Sequence, residues 1–565
     1  MRRVEPWAAT RPEDVLLAGQ QAPRGTPPAR PTRHRAPDDN DLARAGLLSN
    51  DPAAGTVLVG TPDATEAPTR PAIVLGPDLA RVVDETIAAL ARLDVYQRGG
   101  TLVDVVRDAT TGAIIRPEGT PRIRLLPAPR LRELSTLAAD FKRRKRTDEG
   151  IVLVSVQPPG DVLAAVAARG EWSHVRPLSG IADHPVLRPD GSILSVPGYD
   201  PATGLLCEPT VTADISEHPT RDDAAAAIAD LLDLVCDFPF AGDEHRAAWL
   251  AAALTIVARP AIDGPVPLTL FDANELGSGK TLLADVIARI VRGRSFARRT
   301  VPEESAEWKK ALLGIAIAAD PVVLLDNVKR MISSDALEAV LTGEGFKERI
   351  LGRNEELELP IRTVFFATAN NATLSADLVR RSLHIRLEAG ENPAVRTGFK
   401  YPDLKGHIQA NRARYLGALL TILRAYVVAG RPSVPLRPMG SYDAWSAVVR
   451  ASLVWAGATD PATSQDGLRE SSDPERTELG AVLRCWRALY QDRAVAVAVV
   501  LADLGQAGTG PRERALADAL ATWVDGDAGR LQAASRKIGN RLRVNRGRII
   551  DGLCIAKGPD DSHVG

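Results

Sequence analysis

Continuous apolar runs in the middle of the chain predict buried strands. Residues 267–271, 321–325 and 363–369 carry short apolar stretches that are rich in β-branched and aromatic residues. Runs of this length suit strands that are covered on both faces. A helix-forming segment, residues 282–290, follows the first run at once. The pattern predicts an α/β fold for this part of the chain.

The flanking regions follow other patterns. Apolar positions at helical spacing predict a helix over 79–93, with Asp78 as its N-cap. Asp190-Gly191 lies between two apolar pairs and predicts a hairpin turn. Further segments are predicted as strands at 102–106, 113–115, 123–126 and 151–156, and as a helix at 161–169. The predicted domains are a disordered Pro/Arg-rich tail (1–70), an N-terminal α/β domain (71–210), a helical apron (211–265), a core (266–395), a helical lid region (396–470) and a C-terminal domain (475–560).

Composition argues against several classes of protein, among them membrane proteins and disulfide-rich secreted proteins. The net charge is −1, so any nucleic-acid surface must be local. The four cysteines are far apart, which argues against structural zinc and a disulfide framework and favours a reducing cytoplasm. No apolar run reaches the roughly 18 residues that a membrane span needs, and the N-terminus lacks the apolar segment of a signal peptide. We expect a cytoplasmic protein of a bacterium or of a phage in its host, without a membrane partner.

The stretch LTLFDANELGSGKT, residues 268–281, predicts an ATP site. A strand, a glycine-bearing loop and a helix in this order form a P-loop, in which backbone N–H groups and the helix dipole face phosphates. Lys280 would reach the β- and γ-phosphates, and Thr281 would bind Mg²⁺. Asn274 stands where the motif has Gly, but Asn tolerates positive φ better than most residues, so the turn can survive this departure. The predicted ATP-binding residues are Asn274, Glu275, Leu276, Gly277, Ser278, Gly279, Lys280, Thr281 and Leu282.

Polar residues at the ends of the next two apolar runs extend this site. Asp326 ends the second run and is predicted to hold Mg²⁺ with Thr281. Asn327 follows, where many ATPases have a second acid as general base, which weakens the case for fast hydrolysis. Asn370 ends the third run and can orient the attacking water, with Asn371 as the second choice.

Arg380 and Arg381 follow ten residues later. Either could act as an arginine finger on the γ-phosphate of a neighbouring subunit. The alternative is a surface ion pair on a helix.

This ordered series resembles the superfamily 3 helicases. A basic segment lies between Asp326 and Asn370, at residues 343–360 (GEGFKERILGRNEELELP). The superfamily 3 helicases carry a DNA-contacting hairpin at this place. Lys347, Arg349 and Arg353 fall on its positions. The resemblance is to poxvirus-type primase-helicases of phages, plasmids and integrated elements, and it extends to residues 95–106, 197–205 and 391–404. It implies an AAA+-type homo-oligomeric ring, hexameric in that family, with ATP between subunits and single-stranded DNA in the pore. No priming domain is recognisable, so a separate primase is an expected partner.

The C-terminal region predicts a winged helix that binds duplex DNA. Helices are predicted at 475–490 and 511–524, and Asp551-Gly552 lies between apolar pairs as in a hairpin turn. Residues 530–548 hold seven basic residues and no acid, with apolar residues on one helical face. The alternative is a solvated amphipathic helix. The predicted DNA contacts here are Arg536, Lys537, Arg541, Arg543 and Arg546.

One further basic run, residues 142–146, is a candidate DNA contact, although the pattern favours a solvated loop. Together the motifs predict an ATP-dependent DNA helicase of a mobile element. Two alternatives stay open. One is an ATP-binding switch or assembly factor in phage defence or its regulation, slowed by Asn327. The other is a DNA-binding replication initiator with a vestigial ATPase.

Overall fold

The computed structural model divides into two units, Met1–Thr69 and Arg70–Gly565. The described residues all lie in the second unit, which is compact. They are 70–107, 118–148, 150–328, 334–343, 345–349, 356–371, 374–390, 396–472, 474–505, 510–524 and 534–558. The predicted tail over 1–69, the predicted strand over 113–115 and Arg353 lie outside them. The fold is mixed α/β with parallel sheets.

Residues 70–210 form small sheets with three helices. The four-stranded sheet has the order β4-β3-β2-β7, and three-stranded sheets have the orders β1-β5-β6 and β11-β12-β8. Asp78 caps the first helix as predicted, accepting a hydrogen bond from the backbone N–H of Arg81. The predicted hairpin at Asp190-Gly191 is confirmed by the antiparallel pair β9 and β10. The strands are β1 (Ala72–Leu75), β2 (Tyr96–Arg98), β3 (Thr101–Val106), β4 (Arg122–Leu125), β5 (Asp140–Thr147), β6 (Gly150–Ser155), β7 (Arg176–Pro177), β8 (Gly180–Ala182), β9 (Val186–Leu187), β10 (Ile193–Leu194), β11 (Gly198–Asp200) and β12 (Leu205–Cys207), and the helices are α1 (Leu79–Leu90), α2 (Ala128–Ala138) and α3 (Gly160–Ala167).

The prediction of a solvated loop at 142–146 is wrong. These residues belong to β5, which pairs with β1 on one side and with β6 on the other. Charge repulsion along the run does not prevent a strand, because successive side chains point to opposite faces and most of them here reach solvent.

The largest sheet has five parallel strands in the order β14-β15-β18-β13-β19. Its strands are β13 (Leu268–Ala273), β14 (Ala297–Arg299), β15 (Val322–Val328), β18 (Val364–Asn370) and β19 (Ser382–Leu387). The three apolar runs therefore form the strands that the sequence predicts. Both faces are covered, which explains why these runs lack polar alternation. On β13, for example, Leu268 and Leu270 join one hydrophobic cluster, whereas Phe271 and Ala273 join the other.

Helices cover both faces of this sheet, and the hydrophobic cluster on one face is larger than that on the other. One face packs on α7 (Ser305–Ala318) and α8 (Asp335–Val340), through residues such as Trp308 and Leu337. The other face joins a larger cluster formed by α4 (Arg221–Leu234), α5 (Asp243–Ala258), α6 (Lys280–Arg292) and α11 (Arg412–Val428). The segments named apron and lid in the sequence thus share one hydrophobic core with the sheet.

The remaining elements complete the second unit. The pair β16 (Gly345–Arg349) and β17 (Glu356–Pro360) is antiparallel. The other helices are α9 (Ala376–Val379), α10 (Leu404–Ala410), α12 (Asp443–Trp445), α13 (Ala451–Ala456), α14 (Gln465–Ser472), α15 (Pro474–Tyr490), α16 (Val497–Leu504), α17 (Pro511–Ala521) and α18 (Ser535–Val544), with short 3-10 turns at Arg259–Ala261, Pro461–Ser464 and Thr522–Val524 and a π-helical turn at Ser446–Arg450. Within the described residues, no helix is both long enough and apolar enough to cross a membrane.

Arg98 joins the small N-terminal sheets to the rest of the unit. Its guanidinium donates to the carbonyls of Leu178 and Ser179 at 3.1 and 2.7 Å, and to those of Ala316 and Pro360 at 3.3 and 2.8 Å. Burial lowers the pKa of Arg98 to about 10. Since all four acceptors are neutral carbonyls, the side chain acts as a buried cross-link between distant segments.

Replacing Arg98 with Met should lower the free energy of unfolding by about 2 kcal/mol, measured by urea denaturation. The four carbonyls lose their donor, but the loss is partly offset because the buried charge is also removed. Arg92→Met, at an exposed arginine, is the control and should change stability by less than about 0.5 kcal/mol. Equal midpoints for the two variants would refute the cross-link.

Candidate functional site

Several of the predicted site residues meet at one edge of the five-stranded sheet. The strands β15, β18 and β13 are adjacent and parallel, so their carboxyl ends lie at the same edge. Such edges are where ligands bind in open α/β sheets. The loop 274–279 leaves β13 at this edge and leads directly into α6, whose first residue is Lys280.

The loop needs glycine at two positions. Gly277 and Gly279 have φ values of 78° and 89°, in the left-handed region. A Cβ on Gly279 would also stand only 3.0 Å from Cε1 of Phe238. These glycines let the loop turn directly into the start of α6, and the N-terminus of a helix favours an anion.

Asn274 does not belong to the positive-φ residues of the described chain, so the turn forms without that conformation at this position. Its side-chain amide instead makes two hydrogen bonds with the backbone of one residue, much as a neighbouring strand would. The Nδ2 donates to the carbonyl of Ala389 at 2.9 Å, and the Oδ1 accepts from the N–H of Ala389 at 3.0 Å. Asn274 therefore fixes the loop against the segment that follows β19.

The ammonium group of Lys280 lies at the centre of the site. It donates to the carbonyl of Glu275 at 3.3 Å, to Oγ of Ser278 at 3.2 Å and to Oδ1 of Asn370. The residue is only 8% exposed, and burial lowers its pKa. Its close partners are neutral, so a phosphate anion at the loop would strengthen the charged form.

A hydroxyl and a carboxylate lie beside Lys280. Thr281 donates through Oγ1 to Oδ1 of Asp326 at 3.3 Å, and Thr368 donates to the same oxygen at 2.8 Å. Arg298 also lies close, with Nη1 3.6 Å from Oδ2 of Asp326. These oxygen donors fit Mg²⁺, which favours carboxylate, hydroxyl and phosphate oxygens.

Asn327 has a backbone role that the sequence did not indicate. Its φ is 57°, and its N–H donates to Oγ1 of Thr368 at 2.8 Å. The register between β15 and β18 shifts between Leu325 and Val328, so the strand bulges here. Asparagine tolerates this left-handed conformation better than most residues do. The bulge brings Thr368 into contact with both Asn327 and Asp326.

The structure separates the two asparagines at the end of β18. Asn370 contacts Lys280, whereas Asn371 accepts through Oδ1 from Arg386 at 3.0 Å. Sequence reasoning missed Arg386 and its partner Asp272, which are paired at 2.5 Å. Asp272 is buried on β13, and it also faces Nε2 of His384 at 3.3 Å. The sequence did contain a signal for this cluster, because Asp272 and His384 are polar residues within apolar strands, and buried polar groups need partners.

Arg380 and Arg381 differ in their surroundings. The side chain of Arg380 is 59% exposed and pairs only with Asp377 among the described residues, at 2.6 Å and three positions away on the same helical turn. The side chain of Arg381 is 16% exposed and pairs with Glu338 at 3.4 Å. Glu338 in turn accepts from Ser375. Arg381 is thus held within its own chain, whereas Arg380 makes the kind of exposed ion pair that the sequence offers as the alternative to an arginine finger.

The predicted DNA contacts are distributed over two further places. Lys347 lies on β16, where its exposed ammonium pairs with Glu356 at 2.9 Å. Arg349 ends the same strand, but its side chain lies outside the description, as does the whole of Arg353. The antiparallel pair β16–β17 has the hairpin geometry that the sequence predicts for this segment.

On α18, Arg536, Lys537 and Arg543 are exposed, as is Arg546 just beyond the helix. Arg541 instead turns inward, donating to Glu478 at 2.7 Å and lying 4.9 Å from the ring centre of Trp523. The predicted turn at Asp551-Gly552 is present, with φ values of 50° and 76° and hydrogen bonds between Ile550 and Leu553 at 2.8 Å. Positive φ at both central residues is typical of a type I′ hairpin turn.

A cavity of about 780 Å³ adjoins the loop. Gly277, Ser278 and Gly279 line it, and its aromatic lining residues include Phe238, Phe399 and Tyr401. Arg396 lies 5.5 Å above the ring of Phe399. Its size and its mixture of aromatic and polar walls are those of a small-molecule site.

No family model and no curated protein matches the chain. Two similar solved structures are forms of the apo NrS-1 C-terminal region. The first, the A form, has a TM-score of 0.33 and 10% identity, covering 69% of this chain and 76% of that chain. The second, the A form of residues 305–718, has a TM-score of 0.32 and 11% identity, covering 64% of this chain and 83% of that chain. Similarity at this level carries no conclusion about fold or activity.

Proposed function

We propose that the chain hydrolyses MgATP at the carboxyl edge of the five-stranded sheet and uses the energy to move along DNA. The observation that carries the first part is the convergence of Lys280, Thr281, Asp326 and Asn370 beside a glycine loop at the start of α6. The loop and helix start would bind the phosphates as a P-loop does. We infer that this unit is an AAA+-like ATPase core of superfamily 3 type.

Each residue has a role in phosphoryl transfer. The Lys280 ammonium would exchange its neutral partners for the β- and γ-phosphate oxygens. Thr281 and Asp326 would hold Mg²⁺, which neutralises charge on the phosphates. Asn370, already in contact with Lys280, would position the attacking water by its amide. Thr368 would keep the Asp326 carboxylate in place through its 2.8 Å hydrogen bond.

The cavity beside the loop is suited to the base and ribose. Phe399 and Tyr401 offer aromatic faces, and Arg396 can stack as a planar cation. Base stacking on aromatic side chains contributes about 1–3 kcal/mol per base in proteins that bind single-stranded nucleic acid. The cavity adjoins the glycine loop itself, so one nucleotide could place its base there and its phosphates at Lys280.

Replacing Phe399 with Ala should weaken ATP binding by about tenfold through the loss of stacking. Affinity for inorganic tripolyphosphate should stay unchanged, because the phosphate contacts are intact. Titration calorimetry with both ligands tests this. Leu137→Ala removes a similarly exposed apolar side chain far along the chain and is the control. Equal losses for ATP and tripolyphosphate would place Phe399 in the phosphate site instead.

The DNA part of the proposal rests on the resemblance together with three exposed features. Arg380 could reach the ATP of a neighbouring subunit in a ring, because its only described partner is Asp377 on the same turn. Lys347 on the β16–β17 hairpin would contact single-stranded DNA, and the exposed cations of α18 would bind duplex DNA. ATP-dependent displacement of a labelled strand from a forked duplex tests this part. ATP turnover without displacement or translocation would refute it.

A second candidate function is an ATP-binding switch that hydrolyses slowly. Asn327 favours it, since an acid that many ATPases use as general base is missing and its backbone is committed to the bulge. In that case bound ATP would drive assembly, and DNA would not raise the basal turnover. The comparison of turnover with and without DNA separates the two candidates.

A further inference from the structure

The strands β5 and β6 extend beyond the sheet that anchors them. β1 pairs only with Asp140, Phe141, Lys142 and Arg143 of β5. Beyond Arg143 the ladder consists of β5 and β6 alone, down to the pair Thr147 and Gly150. We call residues 144–147 and 150–153 the basic ribbon. It is a two-stranded projection with one strand rich in cations and the other apolar.

The register places cations beside apolar side chains on both faces. Arg144 is opposite Leu153 and Arg146 is opposite Ile151, so these four side chains share one face. Lys145 is opposite Val152 on the other face. Ile151 is 71% exposed and Leu153 is 51% exposed. An apolar edge strand with this exposure is normally covered by a partner or blunted by charge.

The cations of the ribbon lack compensating charge. Among the described residues, Arg144, Lys145 and Arg146 make no ion pair, whereas many exposed arginines elsewhere do, for example Arg414 with Asp230. Asp148 in the connecting turn is the nearest described acid in sequence. Three unpaired cations on consecutive residues, alternating between two faces, create a strong local positive potential on a chain whose net charge is −1.

We propose that the basic ribbon binds single-stranded nucleic acid. The cations would follow the phosphates of the backbone, and unstacked bases would lie against Ile151 and Leu153 on the same face. Charge complementarity selects a polyanion, and the exposed apolar side chains select one whose bases are accessible, which duplex DNA does not offer. The region 70–210 would then bind nucleic acid through the basic ribbon, independently of ATP hydrolysis.

Fluorescence anisotropy with a labelled 20-nucleotide single strand tests this on the full chain, without nucleotide, over a salt series. Arg144→Ser with Arg146→Ser should reduce the slope of log K against log salt by roughly 1.4, since each phosphate contact contributes about 0.7 on single strands. At about 0.1 M salt this corresponds to roughly 25-fold weaker binding. Ile151→Ser with Leu153→Ser should weaken binding about tenfold through the loss of apolar burial, with the slope unchanged because no charge is removed.

Arg414→Ser with Lys310→Ser removes the same charge from exposed, ion-paired positions and serves as the control. If the slope of log K against log salt is the same for the ribbon variants and the control variant, the proposal is overturned. It is also overturned if the ribbon variants lose as much affinity for a blunt duplex as for the single strand. If the ribbon variants instead change the sedimentation of the protein without nucleic acid, the ribbon is a contact between copies of the chain. None of these outcomes depends on ATP hydrolysis, so the proposed ATPase can fail while the ribbon proposal stands.

Discussion

Replacing Lys280 with Ala should abolish ATP hydrolysis, with turnover reduced by roughly 100-fold or more. The residue donates to Glu275, Ser278 and Asn370 at the carboxyl edge of the sheet, and no other described lysine lies within this cluster. Its charge would act on oxygens that gain negative charge in the transition state, so its removal raises the barrier more than it weakens binding. Steady-state release of phosphate at saturating MgATP measures the effect.

Controls separate catalysis from folding. Lys280→Arg keeps the charge but not the compact ammonium, and should recover binding better than turnover. Lys310→Ala removes an exposed lysine paired with Glu307 and should leave turnover unchanged. Since Lys280 is buried and its pKa is lowered by burial, its loss should not destabilise the fold strongly. Full turnover in Lys280→Ala would exclude the glycine loop as the hydrolytic site.

The second large effect is expected at Asp183, whose replacement by Ala should lower the free energy of unfolding by about 3–5 kcal/mol. Arg292, at the end of α6, donates to both oxygens of Asp183 at 2.7 to 3.1 Å. Both side chains are buried. Arg294 donates to Oδ2 as well, and His184 donates from Nδ1 to Oδ1 at 3.0 Å. Without Asp183, Arg292 would be a buried charge without its carboxylate.

The same pair predicts a pH dependence. Burial alone would raise the pKa of Asp183, but the charge of Arg292 and the hydrogen bond from His184 outweigh it and hold the pKa well below its ordinary value. A carboxyl whose pKa is lower in the folded state binds fewer protons there than in the unfolded chain. Its contribution to stability is therefore complete above the unfolded pKa of about 3.9 and is lost as the pH falls below it.

Urea denaturation of wild type, Asp183→Ala and Asp183→Asn between pH 7 and pH 3 measures both effects. The difference between wild type and Asp183→Asn should be constant near neutrality and should shrink below about pH 4. Asp230→Ala breaks the exposed pair with Arg414 and should cost less than about 1 kcal/mol. A difference that grows on acidification would contradict the assigned direction.

Local sequence patterns predicted much of the sheet and its edge. Strands 267–271, 321–325 and 363–369 were recognisable because both of their faces are buried, so apolar residues are continuous. Residues at strand ends could be placed because parallel strands present their carboxyl ends together, which is why Asn370 meets Lys280. Turn chemistry located the hairpins at Asp190-Gly191 and Asp551-Gly552 for the same local reason.

Contacts between distant segments could not be predicted. The role of Asn274 is one example, because its side chain pairs with the backbone of Ala389, more than 100 residues away. Asn327 was noted in the sequence only because it stands where many ATPases have a general base. In the structure it has a left-handed φ, because β15 bulges here against its partner β18. The basic run 142–146 is a strand and not the predicted loop because β1 and β6 pair with it on either side, which a local charge pattern does not indicate. Arg98 and Asp183 act across regions that no local pattern connects.

The most direct test of the central claim is ATP hydrolysis with and without single-stranded DNA, by wild type, Lys280→Ala, Arg380→Ala and an equal mixture of the two variants. We expect DNA-stimulated turnover in wild type and almost none in either variant alone. The mixture should recover turnover at about one interface in four, because one subunit supplies Lys280 and its neighbour supplies Arg380. Arg381→Ala should keep the response to DNA, since that side chain pairs with Glu338 in its own chain. Turnover that ignores DNA, or a mixture as inactive as its parts, would contradict a DNA motor that hydrolyses ATP between subunits.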